Sequence, residues 1–387
     1  MPGAENSLKD IPFNKPFIAG KELEYITRAI NENGHLSGNG PFTLKCQEWM
    51  ESHFGTPKAL MTHSCTAALE MAALLCDIGP GDEVILPSFT FVSTANAFVL
   101  RGAVPVFADI RADTLNLDES VIEQALSSKT RAIVPVHYAG VACEMDAILD
   151  IAHHHGVKVI EDAAQSFNST YKGRHLGTIG DLGCLSFHET KNVISGEGGA
   201  LLVNDTGMIP RAEILWEKGT NRVAFANGQV DKYTWVDIGS SFLPGELTTA
   251  FLYSQLEQSD AIIAKRVRLF ELYRERLEAL ETRGELQMPY QPDTCQTNGH
   301  IFYIILAGET EQKQLIRYLT ANGIKGVFHY IPLHDSPAGK KYGRTPAPLP
   351  VTEEMYSRIL RLPLYYEMDE ADVDRVTDCI IRFFTGT

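Results

Sequence analysis

Between residues 58 and 205 short apolar runs alternate with stretches whose apolar positions return every three or four residues. The runs are Ala59-Leu60-Met61-Thr62, Glu83-Val84-Ile85-Leu86-Pro87, Val104-Pro105-Val106-Phe107-Ala108, Arg131-Ala132-Ile133-Val134-Pro135-Val136-His137 and Val157-Lys158-Val159-Ile160-Glu161, followed by Leu182-Gly183-Cys184-Leu185-Ser186-Phe187-His188 and Ala200-Leu201-Leu202-Val203-Asn204. Such runs predict strands, and the periodic spacers predict helices. Their near-continuous Val, Ile and Leu content is that of strands covered on both faces, so the expected class is α/β around a mostly parallel sheet. In such sheets ligands bind at the carboxyl ends of the strands, which directs attention to the residues just after each run.

From 208 to 287 long charged side chains become more frequent, and 252–280 reads as one long helix. Beyond 290 a Pro/Gln/Asn-rich loop precedes strand-like residues such as His300-Ile301-Phe302-Tyr303-Ile304-Ile305-Leu306. The expected organisation is a large domain over 1–260 and a smaller C-terminal α/β domain over 261–387. The triple histidine 153–155 predicts a solvated helix end rather than a metal site, because consecutive helical positions point about 100° apart.

Composition narrows the class. The 387-residue chain is 44% hydrophobic and carries a formal charge of -15, so a general affinity for nucleic acid or an anionic membrane is not expected. Seven widely spaced cysteines include no C-x-x-C pair, and most of them are expected to be small buried hydrophobes in a reducing cytosol. The opening residues lack the basic start and apolar core of a signal peptide, and no apolar stretch reaches bilayer-spanning length; a cytoplasmic location follows as the expectation.

Candidate chemistry centres on Lys191, in Ser186-Phe187-His188-Glu189-Thr190-Lys191-Asn192-Val193-Ile194-Ser195-Gly196-Glu197-Gly198-Gly199. An amine at a strand end, beside glycine-rich backbone, is a site for a covalently held aldehyde cofactor if its surroundings lower the ordinary lysine pKa of about 10.4. Two carboxylates, Glu161 and Asp162, end another strand. Asp162 is the choice for holding a proton on a heterocyclic nitrogen of pyridoxal phosphate, with Gln165 toward the ring's oxygen substituent, although an aspartate here would also suit a helix N-cap. Thr62-His63-Ser64-Cys65-Thr66-Ala67 leads from a strand into an alanine-rich helical segment. The amides of Cys65 and Thr66 and the Thr66 hydroxyl would form a phosphate site, joined by the Ser186 hydroxyl; plain capping without a ligand is the alternative. Phe91 offers an aromatic platform for the ring, or a core side chain.

Taken together, His35-Leu36-Ser37-Gly38-Asn39-Gly40, Pro80-Gly81-Asp82-Glu83-Val84, Glu161-Asp162-Ala163-Ala164-Gln165, the 186–199 segment and Phe328-His329-Tyr330-Ile331-Pro332-Leu333-His334 resemble the DegT/StrS nucleotide-sugar aminotransferases over nearly the whole chain. The resemblance implies a PLP-dependent enzyme of the aspartate aminotransferase type I fold, with Lys191 as covalent anchor and proton carrier, Asp162 on the ring nitrogen, and Thr66 and Ser186 on the phosphate. It also implies a homodimer with active sites at the interface, and His329 and Tyr330 as substrate contacts. Within the family, the stretches 89–98, 136–146 and 187–192 resemble members that aminate TDP-4-keto-6-deoxyglucose at C4 with L-glutamate. Many relatives place an asparagine where this chain has Leu243, so Ser240 or Ser241 is expected to reach the neighbouring subunit's phosphate instead. Lys218, Arg222 and Lys232 are candidate cations for the nucleotide diphosphate. Retention of Lys191 speaks against a sugar dehydratase of the same fold, in which histidine replaces the lysine. No G-x-G-x-x-G follows the first strand, against a Rossmann dehydrogenase. A ligand sensor on this fold would need an output module that the length does not hold.

Overall fold

A computed structural model describes residues 10–386; the opening segment 1–9, on which the absence of a signal peptide was argued, lies outside the described residues. In chain order the first strands are β1 (Lys58–Thr62), β2 (Glu83–Pro87), β3 (Val104–Ala108), β4 (Thr130–Ile133) and β5 (Lys158–Asp162). Two-residue strands β6 (Thr170–Tyr171) and β7 (Arg174–His175) follow, then β8 (Leu182–Ser186) and β9 (Gly199–Val203). Seven of them form one sheet in the order β1-β9-β8-β5-β4-β2-β3. β9 runs against both of its neighbours and the others share one direction, so the sheet is mixed rather than wholly parallel. The reversal is local in origin: the chain leaves β8, folds back through 187–198 and re-enters as β9, with Phe187 N donating to Gly198 O and Ser195 N to Phe187 O. Every residue of β2, β8 and β9 is buried, as their unbroken apolar runs require.

β10 (Cys295–Gln296) pairs with β6 in a small ribbon outside the main sheet. A second, antiparallel sheet follows in the order β11-β13-β12, from β11 (Phe302–Ile305), β12 (Val327–Phe328) and β13 (Ile359–Leu362). Its core takes Leu269, Phe270, Tyr273, Leu315, Leu319, Val373 and Val376 from three covering helices, and also Ile11, which bridges to Ile324. A seam of Phe89, Tyr138, Tyr303 and Ile359 joins the two bodies. The long helix expected over 252–280 is instead two helices, Glu246–Glu257 and Ser259–Thr282, broken at Gln258. The break has a packing reason: the first helix buries Ala250, Leu252 and Leu256 with the large-sheet elements, whereas the second turns its apolar stripe to the second core. The three histidines 153–155 occupy the last turn of helix Met145–His155, which Gly156 ends in the left-handed region. All seven cysteines are free, and five of them are buried. No helix among the described residues is long and apolar enough to cross a membrane.

The end of β5 separates its two carboxylates by strand alternation. Glu161 is buried; its Oε1 accepts from Ile179 N (2.6 Å) and Gly180 N (2.7 Å), and its Oε2 from Gly177 N (2.8 Å) and His137 Nε2 (2.9 Å). His137 Nδ1 accepts from Cys143 N, so the ring is placed to donate through Nε2. Glu161 therefore clamps the loop before β8. Glu161→Ala strands these donors in the interior and is expected to cost about 3 kcal/mol or more, read as a lowered urea midpoint; Glu161→Gln, which keeps one acceptor, falls between.

Candidate active site

The carboxyl ends of β1, β2, β5 and β8 and the start of β9 converge on one cavity of about 370 Å³. Its walls include Ser64, Cys65, Thr66, Phe91, Ser93, Thr94, Asp162, Gln165, Ser186, Lys191, Glu197 and Tyr330. A wider hollow of about 730 Å³ opens at the opposite ends of the strands, beside Pro57, Asp181 and Asn204, and no lysine lines it.

Lys191 lies in the 187–198 return, where its N–H donates to His188 O (2.9 Å) and Glu189 N to Gly196 O (2.8 Å). Burial lowers its pKa from the ordinary 10.5, against the pull of Cys65 and Asp162, with Arg361 adding to the lowering. The amine makes no hydrogen bond or ion pair among the described residues. Asn192 holds the turn from behind: its Nδ2 donates to Asn298 O (2.9 Å) and its Oδ1 accepts from His300 Nδ1 (2.9 Å). Asn298 in turn donates to Gln165 O (3.0 Å) and Phe167 O (2.8 Å), tying the lysine turn to the loop after β5.

Asp162 is 5% exposed and forms no ion pair among the described residues. Its Oδ2 accepts from Thr94 Oγ1 at 2.7 Å and its Oδ1 from Ala164 N at 3.2 Å. Turns rather than a helix follow β5, so the N-cap alternative does not hold. A buried carboxylate without a counter-charge calls for a cationic ligand group, and a protonated ring nitrogen is one. Gln165 spends its Oε1 on Ala139 N (2.7 Å), which leaves its amide N–H groups as donors. Phe91 is 49% exposed and packs on Tyr330 with ring centroids 5.3 Å apart, so it is not a core side chain.

Two helix starts meet at the candidate anion site. Helix Cys65–Leu75 is capped by Ser64, whose Oγ accepts from Ala67 N, so capping falls to Ser64 and the Thr66 hydroxyl is available. Thr66 Oγ1 lies 2.8 Å from Ser93 Oγ in the first turn of helix Val92–Val99. Burial, with Asp162 adding, pushes the Cys65 thiol well above its usual range, so the residue offers its amide and not a thiolate. Gly199 opens the space: a Cβ there would lie 2.4 Å from Cys65 N and from Ser64 C. Gly199→Ala is expected to push helix 65–75 off β9, costing about 1–3 kcal/mol and weakening cofactor retention; urea midpoint and PLP titration check both.

Of the residues singled out from sequence, Cys65, Thr66, Phe91, Asp162, Gln165, Ser186, Lys191 and Tyr330 line this cavity, and Ser240, Ser241, Lys218, Arg222 and His329 do not. The first four of these, with Lys232, belong to an exposed segment in which Lys218 N donates to Ser240 O (3.1 Å). His329 lies beneath the wall, 2% exposed, stacked on Phe89 at 3.9 Å with Nδ1 3.3 Å from the Tyr138 hydroxyl. Burial drives its pKa well below that of free imidazole, so it stays neutral. Thr94, Ser93, Asn192, Asn298 and His300 were not anticipated. The two hydroxyls were signalled by their place after β2, whereas Asn298 lies over 100 residues from its partners and carried no local signal.

Residues 17–381 match the DegT/DnrJ/EryC1/StrS aminotransferase family. The chain is 34% identical to spore coat polysaccharide biosynthesis protein SpsC of Bacillus subtilis, over 97% of each chain. It is 32% identical to GDP-perosamine synthase of Caulobacter vibrioides, over 96% of this chain and 97% of that one. The crystal structure of an aminotransferase, TlmJ, from Streptoalloteichus hindustanus superposes with a TM-score of 0.88 at 28% identity, over 97% of this chain and 99% of that one. With a lone amine, an unpaired carboxylate and a two-helix anion site in one cavity of that fold, the chain is a PLP-dependent aminotransferase of the DegT/DnrJ/EryC1/StrS family.

Proposed function

We propose that the enzyme moves an amino group from L-glutamate to C4 of TDP-4-keto-6-deoxyglucose, giving TDP-4-amino-4,6-dideoxygalactose. The observation that carries the transfer chemistry is the meeting of the Lys191 amine and the Asp162 carboxylate across one cavity. A nucleotide-sugar acceptor is supported by the relative named GDP-perosamine synthase and by the coat-polysaccharide relative. The choice of the TDP sugar and of the galacto product rests on the resemblance carried by 89–98, 136–146 and 187–192.

Bound pyridoxal phosphate supplies an electron sink for the carbon that loses or gains a proton. Lys191 would anchor the cofactor covalently, and its amine would carry that proton as a base. Asp162, oriented by Thr94, would keep a proton on the ring nitrogen. Cys65 and Thr66 amides, with the Thr66 and Ser186 hydroxyls, would hold the phosphate, Phe91 would offer an aromatic face to the ring, and Gln165 would supply an amide donor to its oxygen. Lys218, Arg222 and Tyr330 are the substrate-side residues of this reading and Ser240 and Ser241 the contact to a partner's phosphate in a homodimer, whereas His329, buried beneath Tyr330, backs the wall without meeting the substrate. Exposed Trp235, Val236 and Ile238 on the same segment support its being covered in a dimer.

The test has two parts. Purified protein with PLP should absorb visible light, and borohydride should fix the cofactor's mass to the peptide holding Lys191; a protein that stays colourless would end the aminotransferase reading. Incubation with glutamate and TDP-4-keto-6-deoxyglucose, with the product's C4 configuration read by NMR, should give the galacto epimer. The gluco epimer, turnover only on a 3-keto isomer, or turnover only on the GDP-linked sugar would replace the substrate assignment.

A further inference from the structure

Behind the lysine turn lies a buried polar network to which both bodies contribute. Arg266, on helix Ser259–Thr282, is 3% exposed and forms no ion pair among the described residues. Its Nε donates to Gly299 O (3.2 Å), and its Nη2 donates to His300 O (2.8 Å) and Leu364 O (3.1 Å). A buried cation without a counter-charge is costly to keep, and what this one secures is the backbone on which His300 sits. Gly299 lets that backbone lie against the helix: its φ is +61°, and a Cβ there would stand 2.7 Å from Arg266 C. His300 N then donates to Asn298 Oδ1 (3.0 Å), and the imidazole reaches across to Asn192, the residue after Lys191.

Hydrogen bonding decides where the imidazole proton sits. Asn192 Nδ2 donates to Asn298 O, so Asn192 Oδ1 is the atom that faces the ring, and only an Nδ1–H completes that 2.9 Å contact. The charged groups that face the ring are Lys191, Arg266 and Arg361, all cations, and together with burial they hold it neutral. His300 is thus a fixed donor to the amide beside the lysine. The rest of the return runs through Gly196, Gly198 and Gly199, which stiffen it little, so this amide ties the turn to a loop that the second body holds. We propose that His300 is a positioning residue for Lys191: through the Asn192 amide it sets the direction in which the amine meets a cofactor aldehyde. This role rests on the reading of Lys191 as the covalent anchor. A ring that only fills space between the two bodies is the competing explanation.

Capture of PLP by cofactor-free protein reads the placement of the amine, which adds to the aldehyde carbon while one water leaves. His300→Asn sets an amide N–H near the position of Nδ1 and His300→Gln sets one near that of Nε2, although glutamine is the closer match to histidine in size. In His300→Gln the capture rate, followed by growth of visible absorbance, should fall about 10-fold, as expected when one buried acceptor is stranded, whereas His300→Asn should stay within about 3-fold of wild type. Pyridoxine 5′-phosphate, which carries an alcohol in place of the aldehyde, should bind wild type and both variants with Kd values within about 2-fold of one another, because its own contacts are untouched. If His300→Gln melts early, Asn192→Leu carries the test: it removes the acceptor instead of the donor, and capture should again slow about 10-fold with binding of the alcohol unchanged. Equal loss in His300→Asn and His300→Gln, a greater loss in His300→Asn, unchanged capture in His300→Gln or Asn192→Leu, or a joint loss of capture and alcohol binding overturns the proposal. Failure of the anchor reading shows instead in the wild type, as bound PLP that borohydride never fixes to the peptide holding Lys191.

Discussion

Lys191→Ala is expected to lower transamination by at least about 10⁴-fold while leaving the protein folded. The size follows from the double use of one amine. Loss of the covalent anchor slows entry to the reaction, and loss of the base removes a proton carrier worth about 10²–10⁴-fold on its own. Stability should be unaffected or slightly improved, because the amine has no bonding partner among the described residues and burial works against its charge. Lys191→Arg makes the same point from the other side: it keeps a cation that cannot give up its proton near neutral pH, so it should be as inactive as the alanine variant. Steady-state kcat, the visible spectrum and the melting temperature decide the matter together; a folded Lys191→Ala protein with wild-type turnover would remove Lys191 from the reaction. The pH dependence has a definite sign. Burial disfavours the ammonium form, so the neutral amine becomes available below the usual 10.5, and capture of PLP by cofactor-free protein should rise with pH and level off below that value.

The lysine turn and the sheet around it were legible because their signals are local. The strands β1, β2, β3, β5, β8 and β9 follow apolar runs that turn residues bound on both sides, and the site residues come directly after them. β4 is shorter than its run: Pro135 has no N–H to give the ladder, so the regular strand stops at Ile133 and is continued by the Val134 N bond to Ile85 O and the Val136 bridge to Asp162. The reversed β9 was not legible, since an apolar run carries no direction. The break at Gln258 was hidden for a related reason, as helical periodicity persists through it while the packing partner changes. Arg361 and Asn298 mark the firmer limit. One is a lone charge in an apolar strand and the other an asparagine in a loop, and each acquires meaning only from residues brought to it by the fold.

Asp162→Asn should retain fold and cofactor but lower kcat by about 10²–10³-fold. The substitution is nearly isosteric, and its surroundings can accept it: Oδ1 keeps the bond from Ala164 N, and the Thr94 hydroxyl, 2.8 Å from Thr90 Oγ1, can turn its proton there and accept from the new amide. What disappears is the negative charge, which Asp162 holds in a buried setting with no ion-pair partner. In the resting enzyme that loss amounts to one charge-assisted bond, about 1.5–3 kcal/mol. Bound PLP would act as an electron sink only with its ring nitrogen protonated, so the carboxylate that would hold this proton matters more in the reaction than at rest, and removal of one preorganised electrostatic partner of this kind costs about 3–4 kcal/mol. The difference separates binding from chemistry. KM for glutamate should move little while kcat falls, and PLP should still be captured with an altered absorption maximum. Thr94→Val, which leaves the carboxylate in place but takes away the bond that orients it, should lose about 10-fold by the same mechanism. A full loss in Thr94→Val with little change in Asp162→Asn would mean that the geometry of the pocket, and not the charge on Asp162, sustains the reaction.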